Sequence, residues 1–325
     1  MNRFSRHDRG LTIIELLVVL GLIGVLSGIG VGMMRKRDSN LTTEVNGRLL
    51  RSILRQARNS AKTSGTGVVV RLNREDNLIE ASPIELGGCW HFEDQSGSRN
   101  TKIESALELV DDGWMGRAAQ LSSSSIDLGN YPWYAATQGF RVRLWFRHEA
   151  GSTGIIVARQ NSFKFAVTEE GALKAEILVG KQNEAVSLTT RGGVVRPGKW
   201  QNISLSYDRL QITIDVDGVL YAQKSESRRL FVDPKARLVL GGGSLKGAVD
   251  EMRYDVAQDG KAEEMSIGVD LSEDTDLIIR FDGNGRLDRR FHKNPALVVL
   301  IGDPPNDASE PIREEIRIEF TGVIR

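Results

Sequence analysis

The residues best suited to a chemical role lie near the start of the chain, in the segment GLTIIE at residues 10–15. A basic leader, residues 1–9, precedes it, and an apolar segment, residues 11–34, contains Glu15 as its only charge. A basic stop follows at residues 35–37. A helix rising about 1.5 Å per residue spans roughly 36 Å over that apolar length, enough for the roughly 30 Å core of a bilayer. A carboxylate inside a membrane span is costly and is a functional residue by default. The peptidase-like junction comes before the apolar segment, which is the reverse of a secretory signal.

Together these features closely resemble the class III signal of type IV pilins and type II secretion pseudopilins. The resemblance implies that prepilin peptidase cuts between Gly10 and Leu11 and that Leu11 is then N-methylated. It also implies that the new amine meets Glu15 of a neighbouring subunit, and opposite charges in low dielectric are much less costly as a pair than singly. The alternative is an ordinary single-pass anchor in which Glu15 lies near the membrane interface.

The orientation in the membrane rests on the same resemblance. Basic residues on the two sides of the span are nearly balanced, at Arg3, Arg6 and Arg9 before it and at residues 35–37 after it, so the positive-inside rule does not decide. The pilin-like signal implies an inner-membrane protein with its head in the periplasm, which then joins a pseudopilus or pilus. The implied partners are other pilins or pseudopilins, contacted through the N-terminal helix, and prepilin peptidase.

Composition limits the remaining function classes. The chain has 325 residues, 40% of them apolar, and a net charge of zero, which suffices for one large or two small domains. Without a basic stretch interleaved with aromatic residues, no nucleic acid is expected as a partner. The single cysteine, Cys89, excludes an intramolecular disulfide. It is interpreted as a buried thiol, with an intermolecular disulfide as the alternative.

The segments that flank the middle of the chain predict a small α+β head. Apolar residues at three- and four-residue steps predict an amphipathic helix over 40–64, and a charged turn at 73–77 between apolar runs predicts a β-hairpin. The helix, its hairpin and the C-terminal strands resemble the H-type minor pseudopilins over residues 11–84 and 265–325. The tail segment Asp282-Gly283-Asn284-Gly285 is interpreted as a turn, because a cation, Arg286, occupies the fifth position of a calcium loop.

Residues 86–257 predict an all-β module. Short alternating apolar runs recur between turn signals, and Asp217-Gly218 between two such runs predicts a two-residue hairpin. Seven segments in order resemble laminin G-like, concanavalin A-like jelly rolls: residues 89–97, 116–121, 140–146, 200–208, 216–218, 240–243 and 247–254. The resemblance implies two stacked antiparallel sheets.

Candidate ligand contacts in this module are aromatic. Trp90, Trp145 and Trp200 fall on strand patterns and are predicted to lie in the core. Four aromatic residues in loop-like sequence are predicted to be exposed ligand contacts: Trp114, Tyr131, Trp133 and Tyr134. The ligand class left open is a glycan or a protein.

The sequence gives little support for catalysis or a metal. The Glu-x-Asp-x-x-Glu triplet of related glycosidases is missing, and Asp250 and Glu251, being adjacent, should point to opposite faces of a strand. The protein is therefore expected not to be an enzyme, a diverged glycosidase being the alternative. No cofactor is assigned. Calcium at the rim of the sandwich, as in some relatives, would use Asp94 and Asp250, without a complete ligand set.

The predicted fold class is α+β, with a long N-terminal transmembrane and amphipathic helix, a small antiparallel pilin head and an inserted laminin G-like sandwich. The predicted domains are the leader (1–10), the transmembrane part of the helix (11–34), its amphipathic part (35–65), the first head strands (66–85), the sandwich (86–257) and the last head strands (265–325). The predicted function is that of a minor structural subunit of a type II secretion pseudopilus or a type IV pilus-like filament. The alternative is a membrane-anchored protein that binds carbohydrate or secreted substrate and uses the pilin segment only as a carrier.

Overall fold

The structure is a computed structural model that describes residues 39–65, 67–82, 84–122, 124–257, 262–304 and 310–325. The predictions for Gly10, Leu11 and Glu15, and for the span at 11–34, lie outside the described residues. Within the described ranges, no helix has the length and apolar character needed to cross a membrane.

The first described element is helix α1 (Ser39–Ser64). Its apolar residues recur every three or four positions, so they form one stripe on the helix. Leu50, Leu54 and Ala61 in that stripe are completely buried. Gly65 follows at φ +65°, the left-handed conformation that commonly ends a helix and that glycine adopts without strain. The amphipathic helix predicted over 40–64 is therefore confirmed.

Strands occupy most of the remaining described chain. In chain order they are β1 (Val68–Asn73), β2 (Leu78–Ser82), β3 (Ile84–Trp90), β4 (Leu109–Val110), β5 (Ala118–Ser122), β6 (Ile126–Asp127), β7 (Gly139–His148), β8 (Gly154–Arg159), β9 (Phe163–Val167), β10 (Leu173–Val179), β11 (Glu184–Thr189), β12 (Trp200–Tyr207), β13 (Gln211–Val216), β14 (Val219–Ser225), β15 (Leu238–Leu240), β16 (Lys246–Ala257), β17 (Ala262–Glu264), β18 (Val269–Leu271), β19 (Ile278–Phe281), β20 (Ala296–Gly302) and β21 (Ile312–Ile318).

The middle of the chain forms a sandwich of two antiparallel sheets. The large sheet has the order β14-β13-β12-β7-β16-β5-β4, with β3 also paired to β16, and the small sheet has the order β11-β10-β9-β8-β15-β6. Alternate residues of each strand point between the sheets, where they form one continuous core that includes Trp90, Phe146, Phe165 and Tyr254, all completely buried. The predicted all-β sandwich is thus present.

A second core joins the segments before and after the sandwich. Helix α1 packs on two smaller antiparallel sheets, β17-β2-β1-β19 and β18-β20-β21. Their shared core includes Leu54, Val70, Phe281, Val298 and Ile316. We call this unit the head. Strand β3 leads from the head into the sandwich and β16 returns, and the two strands pair with each other from Ile84↔Ala257 to Trp90↔Met252.

Candidate functional site

The side of the large sheet that faces away from the sandwich core, here called the outer face, carries most of the candidate site. Strand β7 shows why: Phe140, Val142, Leu144, Phe146 and His148 are buried, and the residues between them are only half-buried. Because successive strand residues point to opposite sides, the residues between them all lie on the outer face: Arg141, Arg143, Trp145 and Arg147. Strand β12 adds polar neighbours, with Asn202 opposite Trp145 and Ser204 opposite Arg143.

Three tryptophans and one arginine form an aromatic cluster at one end of this face. The Trp114 ring stacks on that of Trp145, with centroids 3.6 Å apart and planes 12° apart. The Arg147 guanidinium lies 5.0 Å from the ring centroid of Trp200. We call these four residues the tryptophan ledge. Trp114 is 46% exposed, so the ledge offers an indole face to solvent.

The ledge corrects one prediction and supports another. Trp145 and Trp200 were predicted to be core residues, but both are half-buried on the outer face, and only Trp90 of the three is completely enclosed. Trp145 alternates along β7 in step with the arginines beside it, so its side chain points to the same side of the sheet as theirs. This position, rather than its apolar character, decides where the ring lies. Trp114, predicted as an exposed aromatic residue, is exposed.

Asp250 holds the loop that carries Trp114. It lies opposite Trp145 in the β16–β7 ladder, is completely buried, and its Oδ2 accepts the Met115 amide at 2.9 Å. Its Oδ1 accepts the Glu251 amide at 2.7 Å. Burial raises the pKa of the Asp250 carboxyl, and these backbone donors oppose the shift. The carboxylate therefore positions the turn that places Trp114 over Trp145.

The other predicted aromatic contacts form a separate group. Tyr131 stacks on Trp133 with centroids 4.9 Å apart, and Arg99 lies 5.6 Å from the centroid of Trp133. Both rings are half-buried. Tyr134, in contrast, is completely buried and its hydroxyl donates to the Leu128 carbonyl at 3.2 Å. The prediction of Tyr134 as an exposed ligand contact is therefore wrong, because its ring fills the sandwich core.

The candidate calcium residues have other roles within the described chain. Asp94 accepts hydrogen bonds from the Ser96 hydroxyl and from the Ser96 amide, the latter at 2.7 Å. The hydroxyl first and then the amide lower the pKa of the Asp94 carboxyl. Both carboxylate oxygens of Asp250 accept backbone amides, as described above. Among the described residues, no three histidine, cysteine or acidic side chains come together in a way that could hold a metal ion. Cys89 is half-buried, with its Sγ 3.8 Å from Nε2 of His91, and burial raises the pKa of its thiol.

A cleft of about 200 Å³, which we call the junction cleft, separates the opposite end of the outer face from the head. Four arginines and two aspartates are among the residues that line it: Arg71, Arg141, Arg280, Arg290, Asp208 and Asp215. The head and the sandwich meet beside it, where Arg280 pairs with Asp208 at 2.8 Å. Sequence reasoning missed this cleft because its walls come from several separate segments, spread from Gly67 to Arg290. The arginines at alternate positions of β7 were the available signal.

Two parts of the chain match known families. A model of the prokaryotic N-terminal methylation motif matches residues 5–31, and one of the concanavalin A-like lectin/glucanase superfamily, laminin G type, matches residues 116–262. The chain carries a prepilin-type methylation motif and a concanavalin A-like jelly-roll domain. The methylation match includes Gly10, Leu11 and Glu15. No curated protein matches the chain.

Several solved structures resemble the chain at low identity. One is domain 4 of AbnA, a GH43 extracellular arabinanase from Geobacillus stearothermophilus, in complex with arabinotriose, at 19% identity over 54% of this chain and 93% of that chain, with a TM-score of 0.38. Another is the CBM40 of the Ruminococcus gnavus IT-sialidase bound to α2,3-sialyllactose, at 17% identity, 42% and 88% coverage and a TM-score of 0.36. A third is the heptameric SAP-like pentraxin of Limulus polyphemus, at 12% identity, 42% and 73% coverage and a TM-score of 0.32.

Proposed function

We propose that this protein is a minor structural subunit of a type II secretion pseudopilus or a type IV pilus-like filament, assembled through its N-terminal helix after cleavage by prepilin peptidase. The observation that carries the proposal is the methylation motif at residues 5–31, which ends shortly before helix α1 (Ser39–Ser64) begins. The motif supports an inner-membrane location before assembly, with head and sandwich on the periplasmic side.

The surface of α1 supports assembly through this end of the chain. Leu50 and Leu54 are covered by the head, but Leu41 and Val45, nearer the motif, are 59% and 50% exposed. Apolar side chains on the first turns of an otherwise packed helix are suited to contacts with the helices of neighbouring subunits. The N-terminal amine of Leu11 would pair with Glu15 of such a neighbour.

The sandwich would supply binding. The exposed indole of Trp114 over Trp145 gives a flat apolar surface, and Asn202, Arg143 and Arg147 add hydrogen-bond donors around it. A rigid aromatic surface with polar groups at its edge suits a sugar ring or a protein side chain. We propose binding without catalysis, because Asp250 is occupied by backbone amides and Glu251 by His91, whose Nδ1 lies 2.8 Å from its carboxylate.

The test is the intact mass and N-terminal sequence of the protein purified from its own host. A chain that starts at N-methylated Leu11 is the expected result. A chain that still starts at Met1 would contradict filament assembly and leave a plain membrane anchor. The variant Glu15→Ala should still be cleaved but should fail to enter filaments; its normal incorporation would contradict the pairing of Leu11 with Glu15.

The second candidate function is a membrane-anchored protein that captures carbohydrate or secreted substrate, with the pilin segment as carrier only. The solvent-facing tryptophan ledge favours it. A glycan array probed with the detergent-solubilised full chain tests it, with Trp145→Ala as the variant that should lose binding and Met115→Ala, in the same loop and 62% exposed, as the matched control. A chain processed and assembled into filaments in which Trp145→Ala changes nothing would favour the purely structural role.

A further inference from the structure

The junction cleft has an excess of positive charge that its own acidic residues do not neutralise. Four arginines line it against Asp208 and Asp215. Of the nearby acidic groups, Asp288 pairs with Arg280 at 3.1 Å and with Arg290 at 3.2 Å. Opposite charges this close are largely committed to each other. The charge left over on the side chains that line the cleft is therefore positive.

Arg141 is the cation without a partner. Its side chain makes no hydrogen bond and no ion pair within 4.0 Å with any described residue, although Asp215 and Asp255 lie near enough to favour its charge. Asp255 is held by Arg253 at 2.7 Å. Burial lowers the pKa of the Arg141 guanidinium, with Arg143 adding to the shift. A guanidinium presents a fixed fork of donors that matches a carboxylate, and Arg141 is one of the residues that line the cleft.

The head supplies two further unsatisfied groups. Arg71 uses Nη2 on the Asp208 carbonyl at 2.6 Å, but its Nη1 is buried without a partner. Ser82 is 4% exposed, and its hydroxyl is also buried without a partner while the residue lines the cleft. Buried polar groups are nearly always hydrogen-bonded, so orphans of this kind indicate a ligand or a water that completes them. Burial and the neighbouring Arg209 lower the pKa of Arg71 only to about 10, so it stays a cation at neutral pH.

The wall on the sandwich side is suited to hydroxyl groups. It presents neutral side chains from β12 and β13: Asn202, Ser204, Ser206 and Thr213. Apolar patches from Val69, Ile84 and Phe140 complete the lining. At about 200 Å³ the cleft is smaller than the roughly 300–1,000 Å³ of sites for drug-sized ligands, so its ligand is small.

We propose that the junction cleft binds a small hydroxylated carboxylate with the chemistry of a single acidic sugar. Arg141 and Arg71 hold the carboxylate, Ser82 completes its hydrogen bonds from the head, and the β12–β13 side chains receive the hydroxyl groups. Because head and sandwich both contribute, the ligand would bridge the two. Arg141 and Trp145 are four residues apart on β7, roughly 13 Å along a strand, so this site and the tryptophan ledge have separate centres, and Asn202, which lies opposite Trp145 and also lines the cleft, borders both.

The experiment is isothermal titration calorimetry on the full chain in detergent, with glucuronate, galacturonate, glucose and inorganic phosphate as probes up to about 10 mM. We expect one or both uronates to bind and glucose to give no heat. Phosphate should bind at least about tenfold more weakly than the better uronate, because it cannot use the hydroxyl-binding wall. Glucose binding as well as the uronates, phosphate binding equally well, or no uronate binding would each overturn the proposal.

Two arginines give a pair of variants with the same change in charge. Arg141→Gln should weaken uronate binding at least about tenfold, the effect of losing a charge-assisted hydrogen bond. Arg317→Gln, at an exposed position of β21 outside the lining, should leave it within about twofold. Ser82→Ala, which removes the orphan hydroxyl at little steric cost, should weaken binding without lowering the melting temperature. Equal losses in Arg141→Gln and Arg317→Gln would show a general charge effect and refute the assigned site.

Discussion

The stack of Trp114 on Trp145 yields a prediction that can be worked out quantitatively. Trp114 is 46% exposed. Its side chain therefore buries about half of the roughly 150–250 Å² that a fully buried aromatic side chain removes from water. At about 25 cal/mol per Å², Trp114→Ala should lower the free energy of unfolding by about 2–3 kcal/mol. The stack itself should add about 0.5–1.5 kcal/mol to that loss.

A double-mutant cycle separates the two contributions. Trp114→Ala, Trp145→Ala and the double variant are compared by urea unfolding of the full chain in detergent, followed by near-ultraviolet circular dichroism of the sandwich. We expect a coupling free energy of about 0.5–1.5 kcal/mol. Met115→Ala is the control, since this neighbour is 62% exposed and unstacked and its change should stay within about 0.5 kcal/mol.

The cycle also shows which result would refute the arrangement. A coupling below about 0.3 kcal/mol is the ordinary non-additivity of independent sites, and it would mean that Trp114 does not rest on Trp145 in solution. Asp250→Ala gives a second view, because it releases the Met115 amide that fixes the turn. If the turn is held as described, the coupling between the two tryptophans should shrink when measured in an Asp250→Ala background.

Three further predictions concern the head and the N-terminus. Leu54→Ala should lower the free energy of unfolding of the head by about 2–5 kcal/mol, since Leu54 is completely buried. Leu41→Ala should change that free energy by less than about 0.5 kcal/mol. Similar values for both variants in urea melts would contradict the packing of α1. His292 Nε2 accepts the Arg280 amide at 3.0 Å and burial lowers the pKa of its imidazole, with Asp276 and Asp288 opposing and Arg280 adding. The fold therefore favours neutral His292, so the contribution of this residue to stability should be full above about pH 6.5 and fall as the pH drops below it. His292→Gln should remove that part of the decline. Identical pH profiles of the wild type and the variant would refute this role of His292. Glu15→Ala should show wild-type cleavage on mass spectrometry and loss of filament incorporation, whereas loss of cleavage would assign Glu15 to peptidase recognition instead.

Local signals predicted the elements whose geometry depends on a few residues. Asp217 and Gly218 have φ +52° and +78°, and they join Val216 to its ladder partner Val219. Both values are positive, which is the requirement of the type I′ hairpin turn and the reason for an Asp-Gly pair. The last described strand, β21, covers Ile312–Ile318. It is followed by a turn that the Gly322 amide closes on the Glu319 carbonyl at 2.7 Å.

Residue type misled where strand parity decided. In the β7 sequence, Trp145 shares its parity with Arg141, Arg143 and Arg147, so alternation alone would have placed it on the outer face. The apolar character of tryptophan pointed to the core instead. Tyr134 shows the converse error, because its loop-like sequence suggested exposure while a short 3₁₀ turn, Pro132–Tyr134, directs its ring into the sandwich. The junction cleft was beyond such rules, since parity says which side of a sheet a residue occupies but not what covers that side.

The outer face of the large sheet has two different uses along its length. At one end the head covers it, and the buried Arg280 side chain joins the two by pairing with Asp208 of the sandwich and Asp288 of the head. Removing one partner of a buried ion pair is strongly destabilising, because the other charge is left unpaired, so this contact resists separation of the two units. At the other end the tryptophan ledge stays open. A sandwich held by Arg280 and by the β3–β16 pairing therefore presents the ledge in a fixed direction relative to α1, and in a filament built on that helix every such subunit would present its ledge at the same angle to the filament axis.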